Sequence, residues 1–203
     1  PDNTLQNISV GSKEINAARV AFFLPGFVIS TWAPMIPMVK ARLKLEADVL
    51  GLFLLCIGIR AFIFIPLAGA LVQRFGCKKV VITGATLMAL ISVLLSCLQN
   101  IWSYAIALAF FGAVMGATDV SMNTNAVIVE KLAGRRLLSG MHAFWSIGCF
   151  ASAGLFSVLA SSGSNVTLIA TLHCAIVLAL LAVFGRHLLD YKSPGSEKAC
   201  AIP

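Results

Sequence analysis

Between Phe111 and Glu130, the run FGAVMGATDVSMNTNAVIVE begins wholly apolar and then takes on Asp119, Ser121, Asn123, Thr124 and Asn125. A carboxylate in such a run can carry a proton or bind a polar ligand, and an asparagine amide both donates and accepts hydrogen bonds. On a helix Asp119 and Asn123 share one face, with Ser121 and Asn125 on an adjacent one. Two readings of this stripe stand side by side. It is the wall of a water-filled cavity, with Asp119 as proton carrier or substrate ligand, since ionisable residues in membrane helices mark pathways and relays. Or it binds helices together, at about 0.6–2 kcal/mol per polar contact.

Three other places carry polar chemistry in apolar surroundings. Arg60 stands among Cys56, Ile57, Ile63 and Phe64, so its own helix offers it no partner. It pairs with Asp119 or reaches an anionic group of a substrate. Ser30, Thr31 and Trp32 sit between Pro25-Gly26 and Pro34 and Pro37. Prolines bend a helix and free carbonyls toward a cavity, so these three are candidate substrate contacts, with Trp32 able to stack on a ring or simply to pack. His142 reads as a titrating gate or as a histidine satisfied near the headgroups. Gly148 and Ser152 are small residues four apart, a helix-packing signature.

No constellation points to an enzyme: Asp119 lacks a second carboxylate at its depth, and no glycine loop follows a strand. The six cysteines form no C-x-x-C pair, which argues against a metal site or a disulfide framework. No cofactor is expected.

The elements that must position these residues are membrane helices. The chain has 203 residues, 59% hydrophobic and 11% charged, with a mean hydropathy of +0.94. The apolar residues fall in blocks of roughly 20, the length needed to cross about 30 Å of hydrocarbon. Six spans follow, Ala18–Val39, Val49–Val72, Lys79–Leu98, Ile101–Ile128, Leu138–Ala160 and Val166–Leu188, each helical because backbone groups in lipid must be satisfied internally. Spans three and six carry few polar residues and are expected at the periphery. Eleven basic residues on one side of the bundle against three on the other place both termini in the cytoplasm. The net charge of +7 thus sets topology and gives no reason to expect nucleic acid. Phe22-Phe23 and Phe110-Phe111, each followed by a polar interruption, hint at a repeat of three helices.

The segment GALVQRFGCKKV, Gly69 to Val80, joins spans two and three. It resembles the cytoplasmic loop signature of the major facilitator superfamily: Gly69, Leu71, Arg74, Gly76 and Lys79 match, Lys78 is a basic neighbour, and Gln73 replaces the usual acid. EKLAGRR, Glu130 to Arg136, resembles a degenerate second copy. Gly69 is expected to admit a neighbouring helix, Gly76 to permit the turn, and the basic residues to anchor the loop at the headgroups. The loop is a candidate conformational latch, weakened by the uncharged Gln73. From about Ala18 to Leu189 the chain further resembles the fucose-permease-like branch, in which an acid of span four is followed by asparagine four residues on, as Asp119 and Asn123 are here.

The resemblance implies an all-α membrane protein, one half of a two-half transporter, with six helices built as a 3+3 inverted repeat. It implies secondary active transport by alternating access of a small polar solute, a sugar among the options, with proton coupling, in a bacterial inner membrane. Residues 1–17 read as a cytoplasmic segment, 18–189 as the bundle, and 190–203 as a tail or the start of a linker. The partners expected are the lipid bilayer, a small-molecule substrate with protons, and a second six-helix half from the same or another chain. The chain is then a fragment, a truncated product or a dimerising half. A non-transporting scaffold, or an oligomeric channel or carrier of another family, are the alternatives.

Overall fold

The computed structural model describes residues 10–190. The expected segments at 1–9 and 191–203 lie outside the described residues, as do the α3 side chains at 47, 50, 54, 56, 57 and 60–65. Among the described residues the chain is helical and contains no strand. Its helices are α1 (Ser12–Trp32), α2 (Ile36–Leu43), α3 (Ala47–Phe75), α4 (Cys77–Cys97), α5 (Ile101–Ala133), α6 (Leu138–Ser161) and α7 (Val166–Phe184). Among the described residues, five helical segments are long and apolar enough to cross a membrane: Ser12–Leu43, Cys77–Cys97, Ile101–Ala133, Leu138–Ser161 and Val166–His187.

The first of these is bent. α1 passes through Pro25 without a break, then tightens to a 3-10 turn at Ala33–Met35, where Pro34 removes a backbone donor, before α2 continues. Short connections then return the chain. Gly76, at φ 87°, both ends α3 and begins α4, a backbone conformation that a side chain would strain. Asn100 caps α5 and Asn165 caps α7, accepting from the amides of Trp102 and Ser103 and from that of Leu168.

Packing rests on close approach. A Cβ built on Gly26 would stand 2.3 Å from the Trp145 carbonyl oxygen, and one on Gly148 would stand 2.3 Å from that of Phe23. Thus α1 and α6 touch backbone to backbone. Gly84 plays the same part between α4 and α5, where a Cβ would lie 2.0 Å from Thr118 Oγ1. Among the described residues the close approach expected at Gly69 is not seen: a Cβ on it meets nothing within 4 Å. α4 is likewise more interior than its plain hydropathy suggests. It buries Gly84, Ala85, Ala89, Ser92 and Ser96 on one side, because small size rather than polarity marks an interior helix face in lipid. α6 leaves its outer face open, with Ile147, Phe150 and Val158 exposed.

Side chains close the helix ends. Arg42 of α2 donates to the carbonyls of Leu95 (2.9 Å) and Ser96, placing a cation at the C-terminus of α4. At the other end of the bundle Glu130 accepts from the amides of Leu137 (2.6 Å) and Leu138 (2.7 Å), and so caps α6.

The α1–α6 contact makes a prediction. Gly148→Ala should lower the thermal unfolding midpoint in detergent, with a loss of about 1–3 kcal/mol typical of overpacking. Gly154→Ala, on the same helix with nothing within 4 Å of its Cβ position, should leave the midpoint unchanged within error.

Candidate functional site

The site is built on α5, a helix of 33 residues and therefore about 50 Å long at 1.5 Å per residue, enough for both ends to leave the hydrocarbon. Its polar residues mostly serve their own helix. Thr118, Ser121 and Thr124 donate to the carbonyls of Val114, Ala117 and Val120 at 2.7–2.8 Å, the usual way a hydroxyl is satisfied in a membrane helix. Asn123 Nδ2 donates to the Asp119 carbonyl at 2.9 Å. The stripe therefore divides. Thr118, Ser121 and Asn125 are buried against other helices, while Asp119 is exposed and Asn123 half-exposed on a different side.

Asn125 ties the bundle together. Its Nδ2 donates to the carbonyl of Leu189 at 3.1 Å, fastening the chain beyond α7 to α5, and its Oδ1 is buried without a partner among the described residues. Asp119 differs in kind. It is exposed, as is His142 of α6, whose ring meets that of Phe22 edge-on with centroids 4.9 Å apart. Arg60 lies on α3, and its side chain is outside the described residues.

The candidate contacts on α1 separate in the same way. Ser30 is half-buried. Thr31 is buried, donates to the Phe27 carbonyl at 2.9 Å and lies 3.0 Å from the Ser152 hydroxyl of α6. Trp32 Nε1 donates to the Tyr104 hydroxyl of α5 at 3.0 Å, with both side chains buried. Thr31 and Trp32 thus join α1 to α6 and to α5.

Nearby, His173 of α7 is buried beside Phe27, its ring nitrogens 2.8 Å from the Ile169 carbonyl and 3.2 Å from the Ser152 carbonyl. The sequence alone does not reveal Tyr104 and His173 as ties, since each depends on which helix stands opposite. The hint available was that each is a hydrogen-bonding group in an otherwise apolar span.

The loop motif is drawn into the same end as Glu130. Lys78 Nζ donates to the Arg186 carbonyl at 2.7 Å, bracing the start of α4 against the end of α7. The Arg74 guanidinium lies over the Phe75 ring at 5.3 Å. Leu71 is half-buried, and Gln73 and Lys79 are exposed. Among the described residues no group of three or more His, Cys, Asp or Glu is placed to hold a metal ion.

Residues 20–199 match the sequence profile of the Major Facilitator Superfamily. An uncharacterized MFS-type transporter of Yersinia pestis is 40% identical over 179 residues, covering 87% of this chain and 47% of that protein. Membrane protein MosC of Rhizobium meliloti is 30% identical over 206 residues, covering 98% and 50% respectively. The uncharacterized transporter y4wD of Sinorhizobium fredii is 35% identical over 127 residues, 63% of this chain and 34% of its own. The chain spans about half the length, or less, of these curated relatives.

The buried pair makes a prediction for this region. Trp32→Phe leaves the Tyr104 hydroxyl without its donor and should destabilise the bundle by about 1–3 kcal/mol. Tyr104→Phe should cost a similar amount, and the double variant less than the sum, because both remove one bond. Thermal unfolding of the four proteins measures the coupling.

Proposed function

The chain belongs to the major facilitator superfamily, and from that premise we propose that it forms one six-helix half of a secondary active transporter. In this reading α3, 29 residues long, also crosses the membrane as the second span, and the six spans form a 3+3 inverted repeat. A second half, from the same or another chain, faces this one, with the solute bound between them near the midplane. The relatives' doubled length supports that reading.

The observation that carries it is the setting of Asp119. A carboxylate in a membrane helix needs water or a counter-charge. Asp119 is exposed, while the polar residues beside it on α5 are largely committed to packing or to their own backbone. We assign Asp119 as the proton carrier or ligand, with Asn123, Ser30 and Arg60 on the same pathway. Thr31, Trp32 and Asn125 hold the helices that form its wall. The ligand is a small polar solute such as a sugar or polyol, by likeness to the fucose-permease-like branch. The clustered basic residues around Arg74, Lys78, Lys79, Arg135, Arg136 and Arg186 set both termini in the cytoplasm. The bacterial relatives fit an inner-membrane location.

The test is uptake by proteoliposomes holding this chain together with its second half, scanned over radiolabelled sugars and polyols with and without an inward proton gradient. Gradient-driven accumulation should fall at least about tenfold in Asp119→Asn, the scale of losing one catalytic proton relay, while exchange at equal pH persists. Accumulation undiminished in that variant would remove Asp119 from the mechanism.

A further inference from the structure

The same helix that carries Asp119 turns a different surface toward a cleft. Between α3 and α4, over α5, lies a space of about 380 Å³, within the range of roughly 300–1,000 Å³ that small-ligand sites occupy. Leu71 and Phe75 form one wall and Val114 and Ala117 the back, and Gly84, in close contact with Thr118, seals the junction of α4 and α5. Ala117 and Asp119 are two residues apart, about 200° around the helix at 3.6 residues per turn. The cleft and the Asp119 face therefore point in nearly opposite directions, and the cleft is no part of the proposed solute path.

Its remaining wall is graded. Lys79, Thr83 and Leu87 of α4 all line it. Spaced by four, they follow one face of the helix in steps of about 6 Å. From the basic end of the bundle inward, the cleft thus offers an ammonium, then a hydroxyl, then an aliphatic group. A phospholipid has the matching order of phosphate, ester and acyl chain. The neighbouring Lys78 is committed to the Arg186 carbonyl at 2.7 Å, whereas Lys79 is exposed. A hydrated solute would gain nothing against the apolar walls. A headgroup with net negative charge would gain from Lys79 what a zwitterionic one would lose to its own cation.

We propose that this cleft binds one anionic phospholipid from the leaflet at the basic end, its acyl chain against Leu71, Phe75 and Val114, its ester at Thr83 and its phosphate at Lys79. The inference needs the chain to lie in a bilayer and does not depend on transport. Native mass spectrometry of the purified 203-residue chain tests it, titrating phosphatidylglycerol against phosphatidylcholine with identical acyl chains. One phosphatidylglycerol should be retained in preference to phosphatidylcholine. Lys79→Gln should weaken phosphatidylglycerol about fivefold, the contribution of one lysine near an anionic surface, and leave phosphatidylcholine unchanged. Lys78→Gln should change neither. Thr83→Phe, which fills the cleft from an exposed position without touching the bundle interior, should weaken both lipids. Equal retention of the two lipids by the unaltered chain overturns the proposal. So does an undiminished preference in Lys79→Gln, an equal loss in Lys78→Gln, or unchanged binding in Thr83→Phe.

Discussion

Everything in this bundle depends on helices that touch where side chains are missing. Hydrocarbon is as apolar as leucine, so burying leucine between membrane helices gains little, and association falls to van der Waals contact and interhelical hydrogen bonds. Both need short distances. The Gly26 and Gly148 backbones bring α1 and α6 close, and Thr31 and Ser152 can then reach each other at 3.0 Å across the same interface. On α5 the junction of Gly84 and Thr118 sets the position of α4. Larger residues at these points would separate the helices and lengthen those polar contacts beyond bonding range.

The hydrogen bonds set register where the glycines set distance. Trp32 to Tyr104 fixes α1 against α5, while His173, between two carbonyls and beside Phe27, fixes α7 against α6 and α1. Lys78 and Asn125 fasten the two sides of the α7 exit, at Arg186 and Leu189. The Trp32, Lys78 and Asn125 bonds each join elements far apart in sequence. Polar side chains secure the helix ends as well. Glu130 neutralises amides at the start of α6, and Arg42 neutralises carbonyls at the end of α4. A carboxylate at a helix N-terminus and a guanidinium at a C-terminus both oppose the local dipole.

Much of this architecture is legible in the residues alone, and the reason is physical. Lipid imposes length and helicity, so the apolar blocks can be drawn directly, and the Gly148–Ser152 spacing correctly signals a contact face. Asp119 announces itself because charge is rare at that depth. What sequence does not supply is the partner of each polar group. Asn125 and Trp32 look like cavity contacts because polar and aromatic groups do line cavities, yet the same atoms satisfy Leu189 and Tyr104 once α7 and α5 stand opposite. α4 looks peripheral because hydropathy registers polarity, whereas its interior face is marked by glycine, alanine and serine. Gly69 looks like a contact because glycine permits one, and permission is not occupancy.

The division of α5 follows from the same economy. A helix among neighbours on several sides has few directions in which a carboxylate can stay wet. Toward α4 and the chain beyond α7 the side chains are Thr118 and Asn125, both buried and turned to backbone carbonyls, a surface that would leave an ionised group costly by several kcal/mol. Toward the α3–α4 cleft they are Val114 and Ala117, which present no donor. Asp119 occupies a third direction, and is exposed there. One helix can therefore hold an apolar cleft, a cemented seam and a polar face at once, provided that its residue types change with its angle and not merely with its depth.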